Sequence, residues 1–173
     1  MLQPHPSLKQ RLELYKVDAD MMAAARKFWY AVRPEFHVIT QRFYTHLSAN
    51  PKSAQFLPGQ KGIERLRAAQ TAHWSELFTG QFDAGFVSRV NKAATAHLRI
   101  RLPNFHYMAA YAFFLNELIL MAHRLFEDED ERQEIIAAII ALVMIDADLT
   151  MSFYMQRLMR RDNNDAAHEA VSA

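Results

Sequence analysis

Apolar residues recur along the chain at intervals of three and four, the spacing that stacks side chains on one face of an α-helix. Leu8, Leu12 and Tyr15 mark a short first segment over 7–15. Asp18 can cap a helix over about 19–32 that turns Met22, Ala25, Phe28 (or Trp29) and Val32 inward. Arg33-Pro34 breaks it, and Pro34 suits the first turn of a helix over 35–49, with Phe36, Ile39, Phe43 and Leu47 as its stripe and Tyr44 beside it. Asn50-Pro51 opens a short turn toward Phe56-Leu57, and 58–62 reads as a loop. The helix expected over 63–79 has a broad face of Ile63, Leu66, Gln70, His73 (or Trp74), Leu77 and Phe78, closed by Gly80. Asp83 caps a thinly apolar helix over 84–100, with Phe86, Val90, Ala93, Ala94 and His97 on one side. A corner at Leu102-Pro103-Asn104 leads into a long helix over 104–126 carrying Tyr107, Tyr111, Phe114, Leu118, Met121 and Leu125.

The last helix, about 131–159, has two stripes. One is Ile135, Ile139, Leu142, Asp146, Leu149 and Phe153; the other is Ile136, Ile140, Val143, Ala147, Met151, Tyr154 and Leu158. Two stripes make a wider apolar face than one core usually needs. Either this helix is central to its own core, or the excess pairs with a second copy. The apolar period stops after Arg160-Arg161, so the chain divides into a domain over 1–160 and a polar, disordered linker or tail over 161–173.

Composition narrows the class. A chain of 173 residues suffices for one domain with a sizeable core, and 51% apolar residues exclude wholesale disorder. Only 4 Gly and 6 Pro punctuate the chain, which favours long helices over strands and turns. A net charge of +1, from 20 basic and 19 acidic residues, gives no field that would point to nucleic acid or an anionic membrane. Cysteine is absent, which removes disulfides, thiolate metal sites and covalent haem attachment. The N-terminus lacks a secretory h-region, and the longest unbroken apolar run, 135–145, is too short to span a bilayer. The expected setting is cytoplasmic.

Enzyme motifs are missing: the chain has no H-E-x-x-H, G-x-S-x-G or phosphate-binding glycine loop. The acidic turn 127–131 lacks the glycine and spacing of a calcium loop. His97, in the last turns of its helix beside small residues, has the form of a proximal haem ligand, though a lone His at a helix end is more often a surface or capped residue.

Three ordered motifs decide between those readings: Arg42-Phe43-Tyr44-Thr45-His46-Leu47; His73-Trp74-Ser75-Glu76-Leu77-Phe78-Thr79-Gly80 followed by Phe82-Asp83; and His97-Leu98-Arg99-Ile100-Arg101-Leu102 before a Tyr-containing helix. Together they resemble the globin-coupled sensor family, the haem globins that usually head bacterial signalling proteins, over residues 12–154. The family pattern usually has Gly where this chain has Arg101, Pro one place later than Pro103, and an aromatic residue at His106.

The resemblance implies an all-α globin fold with an extra N-terminal helix, and a dimer in which the long last two helices form a four-helix bundle. It implies a non-covalent haem b with His97 on the iron and Tyr44 donating a hydrogen bond to O2. Such a bond to a charged acceptor is worth roughly 1.5–3 kcal/mol, about ten- to a hundredfold in affinity, with less gained by CO. Leu66 and Ala69 match distal positions, Ala69 offers no second donor, and Phe43, Phe56 and Val90 serve as apolar walls. The implied function is a haem-based O2 sensor, open also to CO and NO. It regulates an output such as a diguanylate cyclase, a histidine kinase or a chemotaxis transducer, and the chain itself is not an enzyme. Two other readings remain at this point: a stand-alone globin for NO or peroxide chemistry or O2 binding, and a cofactor-free helical dimerisation module.

Overall fold

The computed structural model describes residues 7–171; residues 1–6, on which the secretory-signal argument rests, and 172–173 lie outside the described residues. Among the described residues there are eight α-helices and no strand. The short extra helix α1 (Leu8–Leu14) starts at Ser7, whose capping box with Gln10 satisfies two otherwise free N–H groups. Asp18 caps α2 (Ala19–Val32) by accepting from the Met21 amide. A 3-10 turn, Arg33–Glu35, holds Pro34 and feeds α3 (Phe36–Ala49). Asn50 caps a one-turn helix, α4 (Pro51–Ala54), where the sequence suggests only a turn.

Next come α5 (Gln60–Thr79), α6 (Ala84–Arg99), α7 (Asn104–Leu125) and α8 (Glu129–Val171). α5 begins before Ile63, inside the expected loop. Gly62 is helical there, and the missing side chain leaves room for Pro58, whose ring would lie 2.5 Å from an added Cβ. α5 ends on Gly80 at φ 77, the left-handed residue that lets the chain reverse.

α8 continues to Val171, past the expected end near 159. The apolar period does stop there, but Ala166, Ala167, Glu169 and Ala170 are helix formers, and a helix needs no buried stripe to continue locally. The expected disordered tail is therefore helical as far as 171.

The core is an aromatic block from four helices. Phe28 and Trp29 of α2, Phe36 of α3, Trp74 and Phe78 of α5, and Phe114 of α7 are all nearly or fully buried. Their rings pack at 5.1–6.4 Å, edge-on, tilted or stacked, as in the Trp29–Phe36 and Trp74–Phe114 pairs. α8 lies along α2, α6 and α7. Its first stripe is buried from Ile135 to Leu149, and Val143, Ala147 and Tyr154 of the second are buried too, whereas Ile140 of the second, and Met144 outside both, are exposed. α8 thus serves its own core and still presents apolar surface.

By length and composition α7 and α8 could cross a membrane. Here their apolar faces cover the domain core, and both bury an acid, Glu117 and Asp146. That is how core helices of a globular domain read.

Candidate functional site

His97 is positioned by how α6 ends. Arg101 adopts the left-handed conformation at φ 53. This lets the Arg101 amide donate to the Leu98 carbonyl (3.0 Å) and the Leu102 amide donate to the His97 carbonyl (3.0 Å). The paired bonds form a Schellman motif, normally built on glycine. The Tyr154 hydroxyl of α8 then donates to the Leu102 carbonyl at 2.8 Å, tying the corner to the last helix.

The His97 side chain is fixed as well. Its Nδ1 lies 2.7 Å from the Ala93 carbonyl. A carbonyl can only accept, so Nδ1 carries the proton and Nε2 keeps its lone pair. Burial lowers the His97 pKa, opposed by the Ala93 carbonyl, which favours the neutral ring. Tyr107 of α7 packs edge-on against the imidazole at 4.6 Å. A neutral, oriented imidazole with a free Nε2 is a metal ligand in waiting.

Tyr44 lies on α3 next to Phe43, and the two rings meet edge-on at 5.1 Å. It is buried, and burial pushes its pKa up to about 12, with the nearby Arg67 charge opposing. The phenol therefore stays protonated, and its hydroxyl has no hydrogen-bond partner among the described residues. Arg67 reaches from α5 to the Thr40 hydroxyl (3.4 Å) and the His37 carbonyl (3.1 Å), fixing α5 against α3 one turn away.

α5 and α6 touch at one end, where His73 stacks on Phe86 at 5.6 Å and Arg89 pairs with Glu76 at 2.8 Å. Beyond that end Leu66 is 39% exposed and Ala69 is exposed, while Val90 is buried on the His97 side of α6. Phe43 and Phe56 lean elsewhere. Phe56 packs on His106, and Phe43 lines a cavity of about 190 Å³ between α3 and α7 with His46, Phe105 and Phe113. The structure thus groups Val90 with His97 and Phe43 with Tyr44, and sets Phe56 apart at the α3–α7 groove.

Sequence reasoning missed a buried polar group. Asp146 of α8 is 2% exposed. Its Oδ2 accepts from His73 Nε2 of α5 and from the Tyr111 hydroxyl of α7, each at 2.8 Å. Tyr111 also lies 3.2 Å from the Thr150 hydroxyl, and Tyr107 joins the same group. Burial would lower the His73 pKa, but the Asp146 charge and hydrogen bond, helped by Glu76 and opposed by Arg89, raise it overall. Two turns of α8 carry a second cluster: Arg11 of α1, almost fully buried, donates to Asp148 (2.6 Å) and Ser152 (2.7 Å). Acids interrupting an apolar helix were the available signal for both clusters.

The residues present fit a haem. Among the described residues no cluster of three acidic, His or Cys side chains could hold a metal ion. A lone imidazole binds such an ion firmly only if something else supplies the other ligands, as a porphyrin does. Small residues, Ala93 and Ala94, adjoin His97, and among the described residues the buried Gln70 Oε1 on α5 and Asp146 Oδ1 on α8 lack a hydrogen-bond partner.

Comparison with known proteins agrees with this layout. A family model described as Protoglobin matches residues 5–160. The globin domain of the Geobacter sulfurreducens globin-coupled sensor is similar with a TM-score of 0.79 at 18% identity, over 87% of this chain and 99% of that one. The globin domain of E. coli DosC is similar in its ferric form, with a TM-score of 0.69, 16% identity and coverage of 84% and 97%. Its ferrous form gives a TM-score of 0.67 at 16% identity, with coverage of 83% and 96%. At these identities the structures establish a shared globin fold.

Proposed function

The chain belongs to the protoglobin family, and from that premise we propose that it is a haem-based gas-sensing domain. His97 holds a non-covalent haem b through Nε2, and Leu66, Ala69, Val90 and Phe43 supply the apolar surroundings; Phe56, which packs on His106, is not among them. The iron, when bound, supplies the coordination position for O2, CO or NO. The chain's residues then discriminate among the gases: the Tyr44 hydroxyl would donate a hydrogen bond to a ligand that gains negative charge on binding, which O2 does and CO does less. The observation that carries this reading is the pairing of two prepared groups. His97 has its Nδ1 bonded to Ala93 and its Nε2 free, and Tyr44 is a buried residue whose phenol stays protonated.

The sensing domain works as a cytoplasmic homodimer in this reading. Met108 and Leu120 of α7 and Ile140, Met144 and Met155 of α8 are exposed apolar residues that suit a four-helix contact between two copies. The part of α8 beyond 160 would lead to a signalling output, for which a diguanylate cyclase, a histidine kinase or a chemotaxis transducer are the candidates. Catalysis would belong to that output and not to this chain.

Replacing Tyr44 by Phe tests the mechanism. The variant should release O2 about ten- to a hundredfold faster, with CO release changed much less. Equal O2 release rates in the variant and the parent would remove Tyr44 from gas discrimination.

A further inference from the structure

Asp146 interrupts the most apolar stretch of the chain, and a buried carboxylate is costly unless it is paired. Its partners come from two other helices, α5 and α7. From α5, His73 reaches Oδ2 while stacked on Phe86 of α6. From α7, the Tyr111 hydroxyl reaches the same oxygen. Tyr111 packs against Tyr107 at 5.4 Å, and Tyr107 packs against His97 at 4.6 Å. The other oxygen, Oδ1, is buried without a partner among the described residues. One carboxylate on α8 is therefore three short contacts from the His97 ring and one from α5.

We propose, resting on the haem reading above, that Asp146 is a positioning residue for the haem pocket: through Tyr111 and Tyr107 it sets the orientation of His97, and through His73 it ties α5 to α8. Tyr111 cannot turn away without leaving its charge-assisted bond, and Tyr107 is confined between Tyr111 and the imidazole. Reorientation of the His97 ring must displace Tyr107, and hence load the Asp146 bond. The unpartnered Oδ1 gives the carboxylate a second acceptor, so that Tyr111 and His73 can be held on different oxygens in a second arrangement. The charged and titratable groups facing Asp146 are His73 and, behind it, Glu76 of α5 and Arg89 of α6, with Tyr107 and Tyr111 of α7.

The test compares four haem-loaded full-length chains: the parent, Asp146→Asn, Tyr111→Phe and the double variant. Resonance Raman spectra of the reduced, gas-free proteins read the iron–imidazole stretch, which reports the His97 bond itself and not the stability of the fold. Asn keeps the shape and an acceptor oxygen but loses the charge. The expected result is a displaced stretch in each single variant, with the double variant displaced no further than the larger single one, because both act on one link. O2 release should change about fivefold or more in Asp146→Asn. An undisplaced band in Asp146→Asn with normal haem content overturns the proposal and leaves the haem reading intact. A parent chain that takes up no haem overturns both. If Asp146→Asn does not fold, Tyr111→Phe, which removes only one hydroxyl, decides by the same band.

Discussion

Two histidines in this chain are shifted in opposite directions by their neighbours. Burial lowers the pKa of half-buried His97, whereas the Asp146 carboxylate raises that of His73. Their effects on stability therefore have opposite signs. The His73 value is raised in the fold above its ordinary 6.5, so its contribution is complete below that pH and is lost as pH rises through the folded value. The His97 value is lowered, so its contribution is complete above 6.5 and is lost as pH falls through the folded value. Thermal melting of the haem-free chain should accordingly lose stability on the alkaline side, and His73→Gln should flatten that limb and spare the acid limb. An unchanged alkaline limb would mean that His73 is not charged in the fold. The sequence marked His97 and Tyr44 through motif and spacing. It could not reveal Asp146 as the partner of His73, because 73 positions separate them and only tertiary packing brings them together.

Among the elements, the corner between α6 and α7 holds one of two non-glycine residues in the left-handed region among the described residues, the other being Lys16 after α1. Arg101 at φ 53 takes a conformation that costs a side-chain-bearing residue about 1–2 kcal/mol relative to glycine. Arg101→Gly should therefore stabilise the domain by about 1 kcal/mol, seen as a rise of about 2–4 °C in melting temperature. A fall would show that the Arg101 side chain earns its place by contacts. The departure from the family's usual glycine was visible in the sequence, but its consequence was not: the chain keeps the left-handed corner and accepts the strain. Helix boundaries were legible where a cap or a breaker stood, as at Asp18, Asp83 and Gly80. They failed at 58–62, where Gly62 serves close packing under Pro58 and not a loop, and beyond 159, where helix propensity outlasts the apolar stripe.

At the scale of the whole molecule, the wide apolar face of α8 is mostly buried in its own core, both stripes included, with Ile140 left exposed. Leu120 of α7 is 53% exposed and Ile140 and Met144 of α8 are exposed as well, surface that a lone domain would have little reason to keep. In the sensor reading this surface is shared between two copies. Leu120→Glu combined with Met144→Glu should shift sedimentation from dimer to monomer at micromolar concentration while helix content by circular dichroism stays the same. A parent chain that sediments as a monomer would remove the dimer from the account. The all-α globin architecture was legible in the periodicity and the ordered motifs, because each helix writes its own pattern. How α1 and α8 lock together through Arg11 and Asp148 was not, since nothing in either segment names the other.

The claim on which the rest depends is that position 97 binds a haem iron. The visible absorption spectrum of the reduced protein, before and after exposure to O2 and CO, tests it most directly, with His97→Ala measured beside it. The account predicts a Soret band in the parent that shifts with each gas, and loss or severe weakening of haem binding in the variant. A colourless parent from haem-replete cells, or a variant with undiminished haem and the same spectrum, would contradict it.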